Sequence, residues 1–308
     1  MKFAWLTAIL LFIQPAHPSN DLLITHQGQT IAHISRSDFT IALPDTPMVD
    51  RDKYNQLIEE IDKQVYKAPV EAGIDNTGNI IPGQTGYKLY KKIFEEQFYT
   101  SFFSSGTANI EVPLLPIHPR VDSELLAHIR VQKIGQYVTY FNSANKNRTQ
   151  NISLAVEAIN NHVVFPGEIF SFNKVVGNRT AERGYLPARV IVKGEFSEGI
   201  GGGICQVSST LFNAIDRTGM EIMERYSHSR RVPYVPPGRD ATVSWYGPDF
   251  SFKNNYNQPI LIRAIRYGGQ VIITIYSSDA IDYKARNIPQ ASYQLSKEVS
   301  CSSVNACE

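Results

Sequence analysis

The sequence predicts an α+β protein of two domains, the second a mixed, mainly antiparallel sheet with a helix that carries Cys205 at its N-terminus. Three observations lead there. At roughly 150 residues per domain, 308 residues make two domains. Both halves mix helix-spaced and strand-like apolar runs, with no internal repeat. Between them, Pro113, Pro116 and Pro119 close one unit, and a fresh alternating pattern starts near Gly135. A composition 43% hydrophobic and 19% charged lets each half bury a core, and excludes long disorder, coiled coils and multi-pass membrane proteins. Sixteen Tyr and fifteen Phe supply both cores and surfaces suited to sugars or peptides.

Residues 1–18 have the form of an export signal or membrane anchor: Lys2, an apolar run over residues 3–13 broken only by Thr7, then Pro15 and Pro18. The run is short for a membrane span. Cleavage after Ala16 would put Gln14 where a small residue belongs, so a cleaved signal and a retained tether through residues 3–13 both stay open. In either case the body works outside the cytoplasm.

The first domain spans residues 20–130. Two apolar runs over residues 22–42 flank His26-Gln27-Gly28-Gln29, a hairpin pattern. Leu57, Ile58, Ile61 and Val65 fall at helical spacing, and Pro69 stops that helix. Residues 70–75 and 80–83 read as strands about a turn at Asn76-Thr77-Gly78-Asn79. Leu89, Ile93, Phe94 and Phe98 mark a second amphipathic helix, followed by a strand over residues 109–115. Asp122 caps a short helix through Ile129 that connects the domains.

The second domain spans residues 135–280. Residues 137–141 alternate as a strand, and Ile152, Val156 and Ile159 share one helix face. The run Gly199-Ile200-Gly201-Gly202-Gly203-Ile204-Cys205 leads into a helix continued by Val207, Leu211, Phe212, Ala214 and Ile215. Residues 221–226 and 241–246 read as strands, and residues 260–265 and 271–276 pair across Gly268-Gly269. Over residues 281–308 the hydrophobic pattern fades into a flexible tail.

The net charge of +1 hides a division: residues 20–135 carry 11 Lys/Arg against 15 Asp/Glu, and residues 136–308 carry 18 against 14. No basic run tracks a phosphate backbone, which argues against nucleic acid, whereas the basic second half favours an anionic ligand. His-Glu-x-x-His, Cys-x-x-Cys, Gly-x-Ser-x-Gly and a Walker loop are absent from the sequence, so neither a metal nor a cofactor is expected. Ser143-Ala144-Asn145-Lys146 and Ser171-Phe172-Asn173-Lys174 fit Ser-x-x-Lys by chance, without a Lys-Thr-Gly partner.

Three cysteines exclude a disulfide framework. Cys301 and Cys307 lie six apart in the tail, where they can pair; Cys205 stands alone in the densest glycine cluster. Glycines before a thiol at a helix start offer close backbone approach for a substrate, orphan amides for an oxyanion and a dipole end that lowers the thiol pKa. The competing interpretation is a small buried hydrophobe in a tightly packed turn. A nucleophile needs a base. His17 lies in the export segment, and His26, His33, His118 and His128 belong to the first domain, which leaves His162 and His228. His162, beside Asn160 and Asn161, suits a helix C-cap; His228 follows a strand in Arg225-Tyr226-Ser227-His228-Ser229-Arg230-Arg231. Asp240 or Glu224 can orient the imidazole, and the spacing does not choose between them. The neighbouring guanidinium forks suit carboxylates, or are simply a solvated strand edge.

Gly167-Glu168-Ile169-Phe170-Ser171-Phe172-Asn173, Gly184-Tyr185-Leu186-Pro187-Ala188, the Cys205 segment through Leu211 and Arg225-Tyr226-Ser227-His228-Ser229 together resemble the VanW family of bacterial cell-envelope proteins. Residues 70–118 more loosely resemble the peptidoglycan-binding module that often precedes a VanW domain. The resemblance implies an L,D-transpeptidase that uses Cys205 as nucleophile and His228 as base, without a cofactor. The Ser-His-Gly-Cys motif of the better-known cysteine L,D-transpeptidases is absent from the sequence. On this basis backbone groups at Gly203 and Gln206 hold the oxyanion, and Arg230, Arg231, Tyr226 and Ser208 contact a peptidoglycan stem peptide. The first domain holds the polymer at the bacterial wall. The alternative is a non-catalytic wall-binding or glycopeptide-resistance accessory protein with Cys205 buried away from every imidazole.

Overall fold

The computed structural model describes residues 21–41, 47–192 and 195–293. The export segment, Cys301 and Cys307 lie outside the described residues. The fold is α+β and divides into two compact units, residues 1–71 with 83–120 and residues 72–82 with 121–308. Among the described residues, no helix is long and apolar enough to cross a membrane.

In the first unit, β1 (Asp21–His26) and β2 (Gln29–Ser35) make the hairpin that the sequence predicts. β3 (Thr40–Ile41) and β4 (Met48–Val49) pair ahead of α1 (Arg51–Val65). Asp50 caps α1 by accepting from the amides of Asp52 and Lys53. The short pair β5 (Gly73–Ile74) and β6 (Ile80–Ile81) intervenes before β7 (Gly86–Leu89), α2 (Lys91–Phe102), β8 (Ala108–Glu111) and β9 (Leu114–Ile117). The strand expected over residues 109–115 is thus two strands broken at Pro113, β8 joining β1 in parallel and β9 pairing with β7. Leu22, Ile24, Tyr54, Ile61, Phe94 and Phe98 fill this unit's core.

The second unit begins with β5 and β6 and resumes at α3 (Ser123–Ile129), which Asp122 caps through the Leu125 amide. Leu126 and Ile129 are fully buried with Ala72, Ile74, Val163 and Leu261, so α3 is core of this unit and not a connector. Residues 72–82, expected in the first domain, belong here too. Arg263 donates to the carbonyls of Ile74 and Asp75, and the Asn161 amide binds both the N–H and the C=O of Ile74.

There follow β10 (Gln132–Tyr140), α4 (Lys146–Ile159), β11 (His162–Val164), β12 (Ile169–Ser171), α5 (Phe172–Val176), β13 (Pro187–Val192) and β14 (Glu195–Ile200). The unit continues through α6 (Ile204–Thr218), β15 (Glu221–Glu224), β16 (Ser251–Lys253), β17 (Ile260–Tyr267) and β18 (Gln270–Ser277). An antiparallel sheet runs in the order β10-β18-β17-β11, a smaller one in the order β12-β16-β15, and β13-β14 is a separate hairpin. α6 packs Val207, Leu211, Ala214 and Ile215 into the core against β10 and β18, with α4 beside it.

Three expectations change here. His162 opens β11 and does not cap α4; burial holds its imidazole below the ordinary value, and its ring meets Phe170 edge-on. Residues 241–246 form no ladder, because their main chain bonds elsewhere. The Ala241 N–H donates to Ser209 Oγ and its C=O accepts from Ser208 Oγ, while the Thr242 N–H donates to the Tyr226 carbonyl. Residues 281–293 are packed: Ile281, Ile288 and Ala291 are buried in the core, Tyr137 Oη donates to the Pro289 carbonyl, and Arg286 pairs with Asp216. The Ser171 of the second Ser-x-x-Lys segment caps α5 through the Lys174 amide and donates to Asp249.

Candidate active site

Cys205 is the second residue of α6, which starts at the left-handed Gly203 (φ 112°) without a side-chain cap. First-turn amides are therefore left to find other partners. The Ile204 N–H donates to the Gly201 carbonyl and the Gln206 N–H to the Gly203 carbonyl, whereas the amides of Gly203 and Cys205 bond to no described residue. The oxyanion donor expected at Gln206 is thus already occupied, whereas the free amides of this turn belong to Gly203, as expected, and to Cys205 itself. The glycine run approaches protein on every side. A Cβ at Gly202 would meet the main chain of Ala188 and Arg189 at 2.6 Å, one at Gly203 the Arg148 stem at 3.0 Å, and one at Gly201 the Arg179 stem at 3.4 Å.

The Cys205 thiol and the His228 imidazole are close enough to shift each other's protonation, and the thiol lies 3.5 Å from the Val243 carbonyl and 3.8 Å from Thr242 Oγ1. Asp240 Oδ2 accepts from His228 Nδ1 at 2.7 Å and from the His228 main-chain N–H at 2.6 Å. With Nδ1 engaged, Nε2 is the nitrogen left to face sulfur. Asp240 thus orients the ring; Glu224 instead accepts from the Asp249 amide. The His228 side chain is only 6% exposed, so the three groups interact in a poorly solvated setting.

Burial pushes the Cys205 thiol up, but the neighbouring His228 outweighs it and brings the thiol below its ordinary value. Burial lowers His228, and the Asp240 and Cys205 partners reverse this, raising it to about 9. Burial also opposes ionisation of Asp240, yet the bonds from His228 hold its carboxyl below the usual range. Together these shifts favour transfer of the thiol proton toward His228, with the α6 dipole adding to the same effect.

A cavity of about 950 Å³ opens over Cys205 and His228. Its walls carry Arg148, Arg179, Arg189, Arg230 and Arg231 and, among the described residues, no carboxylate. Arg230 and Arg231 therefore stand where the sequence expects substrate contacts. Tyr226 and Ser208 do not: Tyr226 is half-exposed away from the cavity, and Ser208 is fully buried with Oγ on the Ala241 carbonyl at 2.5 Å. Sequence reasoning missed Arg148, Arg179, Tyr234 and Trp245, all on the cavity wall. Burial pushes the Tyr234 hydroxyl up, which keeps it protonated beside the thiol.

A family model described as VanW like protein matches residues 147–276, the segment that holds the thiol, the imidazole and the carboxylate. The chain is 60% identical over 294 residues to "Uncharacterized protein YoaR" of Bacillus subtilis (strain 168), covering 96% of this chain and 97% of that protein. It is 30% identical over 115 residues to "Vancomycin B-type resistance protein VanW" of Enterococcus faecalis (strain ATCC 700802 / V583), covering 36% of this chain and 42% of that protein. No solved structure matches. With the family match over the site-bearing segment and the near-complete alignment to YoaR, the chain belongs to the VanW-like family.

Proposed function

We propose that the chain is an extracytoplasmic cysteine acyltransferase of the cell envelope, an L,D-transpeptidase acting on peptidoglycan stem peptides. One observation carries this: Cys205 and His228 line the same basic cavity, with His228 held by Asp240 and electrostatically linked to the thiol, the arrangement a thiol nucleophile needs. The resistance-related name of the Enterococcus faecalis relative supports a role in the envelope.

In the first step the Cys205 thiolate attacks the carbonyl carbon of the third residue of a tetrapeptide stem. The Cys205 amide, at the positive end of α6, receives the developing oxyanion. Collapse breaks the C–N bond as imidazolium His228 gives its proton to the departing D-Ala amine, which leaves a thioester. An amine of a neighbouring stem then attacks the thioester, His228 takes its proton, and the thiolate is released with a 3-3 cross-link formed. Water in place of the amine makes the same cycle a carboxypeptidase reaction. The first unit contributes by holding the polymer and raising the effective concentration of stems.

Incubating purified protein with tetrapeptide muropeptides tests this. Intact-mass analysis of the wild type should show a thioester adduct with loss of D-Ala, and Cys205→Ala should show none. Unaltered muropeptides and no adduct under reducing conditions leave the accessory role in its place.

A further inference from the structure

Two arginines of the cavity are positioned yet not neutralised. Arg148 donates from Nη2 to Gln206 Oε1 at 2.8 Å, and Arg179 from Nη2 to Asn173 Oδ1 at 2.7 Å. Both acceptors are neutral amides locked in orientation. Gln206 Nε2 donates to Thr139 Oγ1 and the Tyr140 carbonyl, and Asn173 Nδ2 to the carbonyls of Ser244 and Pro248, which leaves each amide only its oxygen to offer. Asp249, the carboxylate nearest in effect to Arg179, has its oxygens on Ser171 Oγ and on the amides of Asn173 and Phe250. Arg148 Nε and Arg179 Nη1 are buried and have no hydrogen-bond partner.

Unpaired buried guanidinium nitrogens are costly, and both side chains line the cavity, where an anionic ligand would offset their uncompensated charge. Here they flank the turn before the nucleophile, the Arg179 stem against Gly201 and the Arg148 stem against Gly203. We propose that Arg148 and Arg179 form a carboxylate subsite beside Cys205, selecting acyl donors that carry a free carboxylate close to the scissile bond. This rests on the acyl-transfer function proposed above. It differs from the Arg230–Arg231 pair in that both forks come from elements packed around the α6 start, α4 and the loop before β13, and are fixed by buried amides. A planar fork matches a carboxylate in two hydrogen bonds, which a lysine at either position cannot reproduce. The carboxylate has two sources on a stem peptide: the terminal carboxylate of the departing residue, and a side carboxylate on the acyl side.

Binding to the full chain carrying Cys205→Ala separates these, read by calorimetry or by the fluorescence of Trp245 on the cavity wall. The probes are a tetrapeptide stem, the same peptide amidated at its C-terminus, and the same peptide amidated at its side carboxylates. One amidation should weaken binding by about tenfold or more, as expected for loss of a charged hydrogen-bonded partner, and its identity names the source. The same penalty should vanish in Arg148→Gln and Arg179→Gln, with thermal unfolding confirming that they fold. The amidation comparison needs neither variant. Equal binding of all three peptides overturns the subsite, even if the wild type forms a thioester with each. Discrimination that persists while the wild type forms no adduct upholds the subsite and removes the acyl-transfer reaction.

Discussion

Asp240 holds His228 twice through one oxygen, accepting from Nδ1 at 2.7 Å and from the main-chain N–H at 2.6 Å. The double contact fixes both the ring and the chain that carries it, so orientation and charge depend on one carboxylate. Asp240→Asn keeps the shape but removes the charge and permits the wrong tautomer. It should lower acyl-transfer turnover by about 10²–10⁴-fold, with a smaller change in KM. Turnover within a fewfold of wild type in a steady-state muropeptide assay would remove Asp240 from the positioning role.

The opposed shifts of Cys205 and His228 set a pH window. The thiol lies below its ordinary value of 9.0 and the imidazole rises to about 9. As pH falls through the Cys205 value the thiolate is protonated, and as pH rises through about 9 the imidazolium is lost. Iodoacetamide alkylation of Cys205 should therefore persist to lower pH than that of an ordinary thiol, and acyl transfer should decline on its alkaline side near pH 9. His228→Ala should move the alkylation inflection up toward the ordinary thiol range. An unchanged inflection in that variant would separate the thiol from the imidazole.

Much of this site was legible because it is local. A glycine run followed by helix-spaced apolar residues places Cys205 at the start of α6 without tertiary knowledge, and the Gly268-Gly269 signal marks the β17-β18 hairpin. The rest depends on long-range partners that leave no periodic trace. Residues 241–246 have a strand-like sequence, but the hydroxyls of Ser208 and Ser209 on α6 take the hydrogen bonds that a ladder would use. Ser208 is adjacent to the site in sequence and faces away from the cavity, for the same reason. Arg148 sits in the first turn of α4, where a solvated face is the ordinary expectation, and only its bond to Gln206 across 58 residues brings it to the thiol. Ile281, Ile288 and Ala291 have no regular spacing, so their packing on the core is invisible to pattern analysis.

Ser209 ties α6 to the segment that carries Asp240. Its Oγ lies 2.7 Å from the Cys205 carbonyl and 2.9 Å from the Ala241 amide, which it serves as acceptor. Ser209→Ala leaves a buried N–H without a partner next to Asp240 and should cost about 1–3 kcal/mol of stability in denaturant unfolding. Loosening Asp240 should also raise the pH at which Cys205 alkylation is half-maximal. A stability loss with the alkylation profile unmoved would make Ser209 purely structural.

The glycine run gives a test that separates packing from backbone strain. A methyl at Gly202 would meet the carbonyl groups of Ala188 and Arg189 in β13 at 2.6 Å, and main chain in a paired strand cannot step aside as a side-chain end can. At Gly167, φ is 81° and nothing lies within 4 Å of the added atom, so an alanine there meets only left-handed strain. Gly167→Ala should cost about 1–2 kcal/mol and leave thiol reactivity unchanged. Gly202→Ala should cost about 1–3 kcal/mol by overpacking, and it should also change the alkylation rate of Cys205, because β13 supplies Arg189 and Val190 to the cavity wall. Denaturant midpoints measured beside alkylation rates distinguish the two. A Gly202→Ala protein with wild-type stability and wild-type thiol reactivity would show that β13 does not press on the turn that starts α6.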